Sequence, residues 1–134
     1  MEVTYQVLKS SWGISICMGA WGTIVNDVLL DSADVVVAES GVSVRNKSGI
    51  VLTDNENSFF IKAVNRIEPI AREILGDKRI VIDITKLDFS HCDYQEEGVY
   101  AVFIKWFTRF FELQEIEVPA TYDRCSNRYV FQIG

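Results

Sequence analysis

The stretch from residue 79 to residue 113 constrains the fold most strongly, because a strand, a polar loop and an apolar helix follow one another there. Residues 79–85 are rich in β-branched side chains and flanked by charge, which is typical of a core strand. Asp93 and Glu96 have the spacing of a capping box, which predicts a helix over residues 99–113. This order of elements indicates an α/β protein.

The first half of the chain predicts short strands separated by turns. Trp12, Ile14, Ile16 and Met18 alternate onto one face of a strand, and residues 19–22 predict a bend or bulge after it. A strand is also predicted over residues 3–8, and the strand that contains Trp12 can resume over residues 23–30. After a turn at 31–34, three short strands are predicted to form a meander: 35–38, 42–45 and 49–52.

A first long helix is predicted after residue 54. Residues 54–58 supply several candidate N-caps, and Gly76 is expected to end the helix. Pro69 predicts a kink or a break near Glu68. Seven apolar positions share one face of this helix: Phe60, Ala63, Val64, Ile67, Ile70, Ala71 and Ile74.

The second helix is apolar on nearly every side and must be covered. Its aromatic residues serve either a core packed on a sheet, which we favour, or an interface for a dimer or a partner. Two last strands are predicted over residues 115–119 and 128–133, with a turn at 123–127. We therefore predict a single-domain α/β two-layer sandwich over residues 1–134, with a mixed sheet of about five to seven strands covered by two long helices.

Charge limits the classes of partner. The chain has 134 residues, a net charge of -6 and an isoelectric point near 4.7. Nucleic acids and anionic membranes repel such a protein, so neither is expected as a partner, and a basic protein is favoured instead.

The three cysteines and the single histidine indicate neither a disulfide framework nor a metal site, and no cofactor is expected. The start of the chain has no pattern of a signal peptide, and residues 99–111 are too short and too charged for a membrane span. These features predict a reduced protein of the cytoplasm.

Two segments were considered for catalysis. His91, Cys92 and Asp93 are adjacent, but neighbouring side chains rarely point at one another, so we read them as a loop residue, an apolar filler and a helix cap. Residues 19–22 lack the features of a phosphate-binding loop. No catalytic residue is assigned.

Carboxylates gather where the second helix begins. Asp88, Asp93, Glu96 and Glu97 form either a solvated acidic face or a docking surface, and a helix N-terminus favours such charge. The candidate partner-binding residues are Asp88, His91, Glu96, Glu97, Glu112, Glu115 and Glu117, the last three joining only if the fold places them nearby.

Residues 49–103 resemble the STAS module of anti-sigma-factor antagonists, through Gly49-Ile-Val-Leu-Thr-Asp54, a helix ending near Gly76, and Ile80–Phe89 leading into a helix. This resemblance implies a scaffold that binds proteins. In place of the family's phosphorylated serine loop stands His91-Cys92-Asp93-Tyr94, with only Ser90 close, so a phospho-switch is not implied. Residues 19–25, 82–84 and 101–103 are also similar to the fourth domain of elongation factor G, whose RNA environment does not suit an acidic chain.

The function that these observations favour is a non-catalytic inhibitor of the kind found as immunity proteins against basic, nuclease-type toxins. A STAS-like signalling regulator is the alternative, an enzyme using His91 and Cys92 is a third reading, and a homodimer is compatible with each.

Overall fold

A computed structural model of the chain describes residues 1–26, 35–39, 41–90 and 94–133. The predicted turn at 31–34, the end of the strand candidate 23–30, and His91, Cys92 and Asp93 lie outside these residues. The strands are β1 (Glu2–Leu8), β2 (Gly13–Val25), β3 (Val35–Glu39), β4 (Val42–Asn46), β5 (Arg79–Phe89), β6 (Ala120–Asp123) and β7 (Arg128–Phe131), and the helices are α1 (Asp54–Leu75) and α2 (Gly98–Phe110).

The two-layer α/β sandwich predicted from the sequence is confirmed. Five strands form one mixed sheet in the order β1-β2-β5-β4-β3, in which β4 and β5 are parallel and the other neighbours antiparallel. Strand β5, predicted as the core strand, is central. Helix α1 contacts β3 and β4, helix α2 contacts β1 and β2, and the two helices contact each other. Strands β6 and β7 form a separate hairpin.

The alternation in β2 is confirmed, with Ile14, Ile16 and Met18 buried beneath the helices. The predicted bulge also exists, because the register with β5 shifts between Gly19 and Ala20. Gly19 has a packing reason, since a Cβ there would lie 3.1 Å from Cβ of Lys86 and 3.2 Å from Cγ of Glu2. Its missing side chain lets the Glu2–Lys86 ion pair, 3.0 Å long, reach across the strand.

Two predicted strands are wrong. Residues 49–52 form no strand, because Asn46 donates to the Ile50 carbonyl and accepts from the Ser48 amide, so side-chain bonds hold a turn instead. The meander therefore does not extend past β4. The strand expected at 115–119 begins instead at Ala120, after Pro119, which has no amide hydrogen to donate to the ladder.

The N-cap of helix α1 is Thr53, one residue before the predicted caps. Thr53 Oγ1 accepts from the Glu56 amide at 3.1 Å, and Glu56 Oε1 accepts from the Thr53 amide at 2.8 Å, which is a complete capping box. The helix continues through Pro69, so the expected break near Glu68 is absent. Pro69 and Asn65 are both exposed, and water can reach the carbonyl that proline leaves unbonded. Gly76 ends the helix, as predicted, with φ of 63°.

Helix α2 begins at Gly98, and its N-cap residue Glu97 makes no side-chain cap hydrogen bond. Asp93 of the predicted capping box lies outside the described residues. The Gly98 and Val99 amides bond instead to the carbonyls three residues earlier, at 2.9 and 3.2 Å, which satisfies its first donors.

The end of α2 also differs from the prediction, since the helix stops at Phe110 rather than residue 113. The Leu113 amide donates to the Thr108 carbonyl at 2.8 Å and the Glu112 amide donates to the Arg109 carbonyl at 3.1 Å. With Glu112 at φ of 53°, these bonds form a Schellman motif.

Four aromatic residues of α2 belong to the core, as favoured from the sequence, whereas Phe110 is only partly buried. Tyr100, Phe103, Trp106 and Phe107 are fully buried, and Phe103 meets Phe60 of α1 edge to face with ring centroids 6.1 Å apart.

Gly98 allows α2 to approach the sheet closely. A Cβ there would lie 2.4 Å from Cδ1 of Ile16 and 3.3 Å from Cγ2 of Ile14, both buried. We expect Gly98→Ala to lower the free energy of unfolding by about 1–3 kcal/mol, because overpacking outweighs the better helix propensity of alanine. Urea denaturation measures this loss, with Asn65→Ala at an exposed position of α1 as the control. Equal or higher stability would show that Ile16 moves aside freely.

Candidate binding site at the end of the sheet

A cleft of about 490 Å³ lies where parallel strands β4 and β5 end and helix α1 begins. Ligand sites of α/β proteins are commonly found at the carboxyl ends of such strands. The cleft has apolar and carboxylate-bearing walls, and its lining residues are Ile50, Val51, Thr53, Glu56, Leu87, Asp88, Phe89 and Tyr94.

Glu56 is the buried carboxylate of this cleft. One of its oxygens accepts from the Thr53 amide in the capping box, and the other accepts a hydrogen bond from the Tyr94 hydroxyl. Both oxygens therefore have partners, which offsets the cost of burial. The pairing also ties the start of α1 to the segment before α2.

Tyr94 is held from two sides. Its ring stacks on Phe89 with centroids 4.0 Å apart and ring planes 17° from parallel. Burial raises the pKa of the Tyr94 phenol above its ordinary value, and the hydrogen bond to Glu56 raises it further. The phenol therefore stays protonated and continues to donate.

We expect Tyr94→Phe to destabilise the protein by about 1–3 kcal/mol at neutral pH, because one Glu56 oxygen loses its partner. The folded-state pKa of Tyr94 lies above the ordinary 10.0, so the stability that its proton provides is present below pH 10 and declines as the pH rises further. Phenylalanine has no such proton. Denaturation curves of both proteins should therefore converge above pH 10. A constant difference in unfolding free energy would contradict this role of the phenol.

Glu96 and Glu97 follow shortly after Tyr94 in the chain, and other side chains hold them. Asn55 of α1 donates to Glu96 at 3.2 Å, and Gln95 donates to Glu97 at 2.6 Å. Arg128 forms an ion pair with Glu97, with 3.3 Å between the Arg128 Nη2 and Glu97 Oε1 atoms. The negative charges of Glu96 and Glu97 further raise the pKa of Tyr94.

Gln95 attaches the β6-β7 hairpin to this region. It is buried, accepts from the Tyr129 amide at 2.9 Å and donates to the Tyr129 carbonyl at 2.7 Å. Tyr129 in turn donates its hydroxyl to the Trp12 carbonyl at 2.8 Å. These bonds fix the position of Arg128 beside Glu97.

We call four carboxylates the acidic end: Glu56, Glu96 and Glu97, whose charges raise the pKa of Tyr94, and Asp88, which lines the same cleft as Tyr94. Asp88 is exposed, and its side chain makes no hydrogen bond with another described residue. Asp88, Glu96 and Glu97 were candidates from the sequence. Asp88 lines the cleft with Tyr94, and Glu96 and Glu97 act on the Tyr94 phenol. His91, also a candidate, is outside the described residues.

Glu112 does not join the acidic end, and among the described residues Glu115 and Glu117 have no hydrogen bond or ion pair with it. Glu112 follows the last residue of α2, whereas Glu96 and Glu97 precede its first residue. The two ends of this 13-residue helix are about 20 Å apart. Glu115 is close enough to Lys105, in the middle of α2, to raise its pKa, although burial and Arg109 lower it overall. Glu117 is exposed in the irregular segment that follows.

Sequence reasoning missed Glu56 and Tyr94 as site residues. The signal for Glu56 was present, since Thr53-Asp-Asn-Glu56 has capping-box spacing. No local signal links Tyr94 to Glu56, which is 38 residues away in the chain.

No group of three or more His, Cys, Asp or Glu that could hold a metal ion occurs in the part of the chain that the structure describes. Cys17 and Cys125 are free thiols, and Cys92 is not among the described residues. Of the helices described, none is long and apolar enough to cross a membrane. No protein-family model, curated protein or solved structure matches this chain.

Proposed function

We propose that this protein is a non-catalytic inhibitor that docks a basic protein at the acidic end, in the manner of an immunity protein that neutralises a nuclease-type toxin in the cytoplasm. One observation carries the proposal: Glu56, Glu96 and Glu97 act electrostatically on the Tyr94 phenol, and Asp88 lines the same cleft as Tyr94. Arg128 forms an ion pair with Glu97. A cationic surface would find complementary charge there.

The shape of the acidic end supports electrostatic docking. Leu87, Phe89 and Ile50 give the cleft low-dielectric walls, and such walls focus the field of nearby charges. The net charge of -6 acts in the same direction at longer range. Complementary charge of this kind speeds encounter and selects among partners.

The bonding of the carboxylates supports binding over catalysis. A general acid or base must reach a proton of its substrate, whereas both oxygens of Glu56 are bonded within the protein. Glu96 and Glu97 also accept bonds from neighbouring side chains, which fixes their positions. Fixed carboxylates suit recognition, because less side-chain entropy is lost on binding.

A calorimetric titration with the basic protein encoded beside this chain's gene tests the proposal. We expect tight binding that weakens with added salt and loss of the partner's nuclease activity in the complex. Absence of binding at low salt, or binding that leaves the nuclease fully active, would count against an immunity role.

A STAS-like signalling regulator remains the second proposal. It is favoured by the β4-α1-β5 unit, whose parallel strands both end at the acidic end. The two proposals differ in partner, so titration with a product of a neighbouring sigma-factor or kinase operon separates them. Binding to that product alone would favour the regulator.

A further inference from the structure

The cleft at the acidic end contains a buried carboxylate that lacks a counter-ion among the described residues. Glu56 lines the cleft and is buried, yet no lysine or arginine in the described part of the chain forms an ion pair with it. A buried charge is costly unless it is both hydrogen-bonded and paired with an opposite charge. Glu56 has the hydrogen bonds, so a cation brought by a ligand would complete its environment.

Glu56 keeps the capacity to accept further hydrogen bonds. A carboxylate offers about four lone-pair sites on its two oxygens. The Thr53 amide uses one site on Oε1, and the Tyr94 hydroxyl uses one site on Oε2. One site is left on each oxygen, and two acceptors on neighbouring oxygens match the paired donors of an arginine guanidinium.

The walls of the cleft suit a long side chain with an apolar stem. Leu87 is buried, Ile50 and Val51 are exposed apolar residues, and Phe89 and Tyr94 add two aromatic rings to the lining. The stem of arginine packs on apolar surface, and its planar head stacks on aromatic rings and is less strongly hydrated than the ammonium of lysine. The lining therefore favours arginine over lysine.

Building on the docking role proposed above, we propose that the cleft receives one arginine side chain of the basic partner, with its guanidinium bonded to Glu56 and its stem against Ile50 and Leu87. The cleft volume of about 490 Å³ lies in the range of small-ligand sites, so one side chain can enter. Asp88 adds a second carboxylate to the lining. Asp54 and Glu56, in the first turn of α1, offset the positive end of the helix dipole, which would otherwise disfavour a cation there.

Arginine and its neutral isostere citrulline test the proposal without any change to the protein. N-acetyl-arginine N-methylamide and N-acetyl-citrulline N-methylamide are titrated separately into the isotope-labelled chain, and amide chemical shifts are followed at constant pH and salt. We expect saturable changes with the arginine compound, largest at Thr53, Glu56, Phe89 and Tyr94. The citrulline compound should bind about tenfold more weakly or less, because it lacks the charge that Glu56 would pair with. The corresponding lysine compound should also bind more weakly than arginine.

Glu56→Gln tests the carboxylate itself. Glutamine removes the charge but keeps an oxygen that can accept from the Thr53 amide, so the capping box can still form. We expect this variant to bind the arginine compound about tenfold more weakly or less. Glu73→Gln, at an exposed position near the other end of α1, makes the same change in net charge and should bind as wild type does. If Glu56→Gln does not fold, the comparison of arginine with citrulline decides.

Four results would overturn the arginine proposal: changes that do not saturate, equal binding of the citrulline or lysine compound, largest changes outside the cleft, or equal weakening by Glu56→Gln and Glu73→Gln. None of these results would refute the docking role, which is tested by titration with the whole basic partner. Arginine binding in the cleft, together with no binding of that partner, would instead refute the docking role and leave the cleft as an arginine site.

Discussion

Phe103→Ala should lower the free energy of unfolding by about 3–5 kcal/mol, the largest effect that we expect from a single substitution. Phe103 is fully buried in α2 and its ring meets Phe60 of α1 edge to face, so truncation removes an aromatic contact between the two helices and leaves a cavity. Urea denaturation at neutral pH measures the loss. Phe107, also fully buried, should behave in the same way.

The control for this substitution is Val51→Ala, at an almost fully exposed position, where we expect a change within about 0.5 kcal/mol. The double variant Phe60→Ala plus Phe103→Ala should show a coupling of about 0.5–1.5 kcal/mol, as expected of an aromatic pair. Near-native stability of Phe103→Ala would contradict a core role for α2.

Asp88→Lys plus Glu96→Lys should slow association with a basic partner by about 10- to 100-fold at low salt. Asp88 is exposed, and Glu96 accepts an exposed hydrogen bond from the Asn55 side chain. The two substitutions therefore reverse charge with little loss of structure. Stopped-flow measurements over a range of salt should show a flatter salt dependence for the variant. Glu97 is left unchanged because it is bonded to Gln95 and Arg128.

Glu73→Lys plus Glu112→Lys is the matched control, with the same change in net charge at the far ends of the two helices. A smaller effect in the control would assign the steering to the acidic end. Equal slowing by both pairs would mean that net charge alone drives association, and circular dichroism would verify that both variants fold.

The periodicity of the sequence predicted the layers of the fold well. The alternation in β2 and the apolar face of α1 each reflect burial on one side, which is a local property of the sequence. Helix ends were predicted less well. Residues 95–97 form a turn whose carbonyls accept the first amides of α2, so the helix needs no side-chain cap.

The candidate site was predicted only where its members are close in sequence. Asp88 lines the cleft with Tyr94, and Glu96 and Glu97 act on the same tyrosine, because the end of β5 and the start of α2 are a few residues apart. Glu56 joins them only through the β4-α1-β5 crossover, which brings the start of α1 to the end of β5. Glu112 was grouped with them by charge alone, and the length of α2 separates it from them.

Amide chemical shifts of the isotope-labelled chain, followed while the basic partner is added, test most directly whether the acidic end is the binding surface. We expect the largest changes at Thr53, Asn55, Asp88 and at residues 94–97, with little change around Glu112 or Glu117. Changes confined to the Glu112–Glu117 segment, with residues 94–97 unaffected, would contradict the proposal.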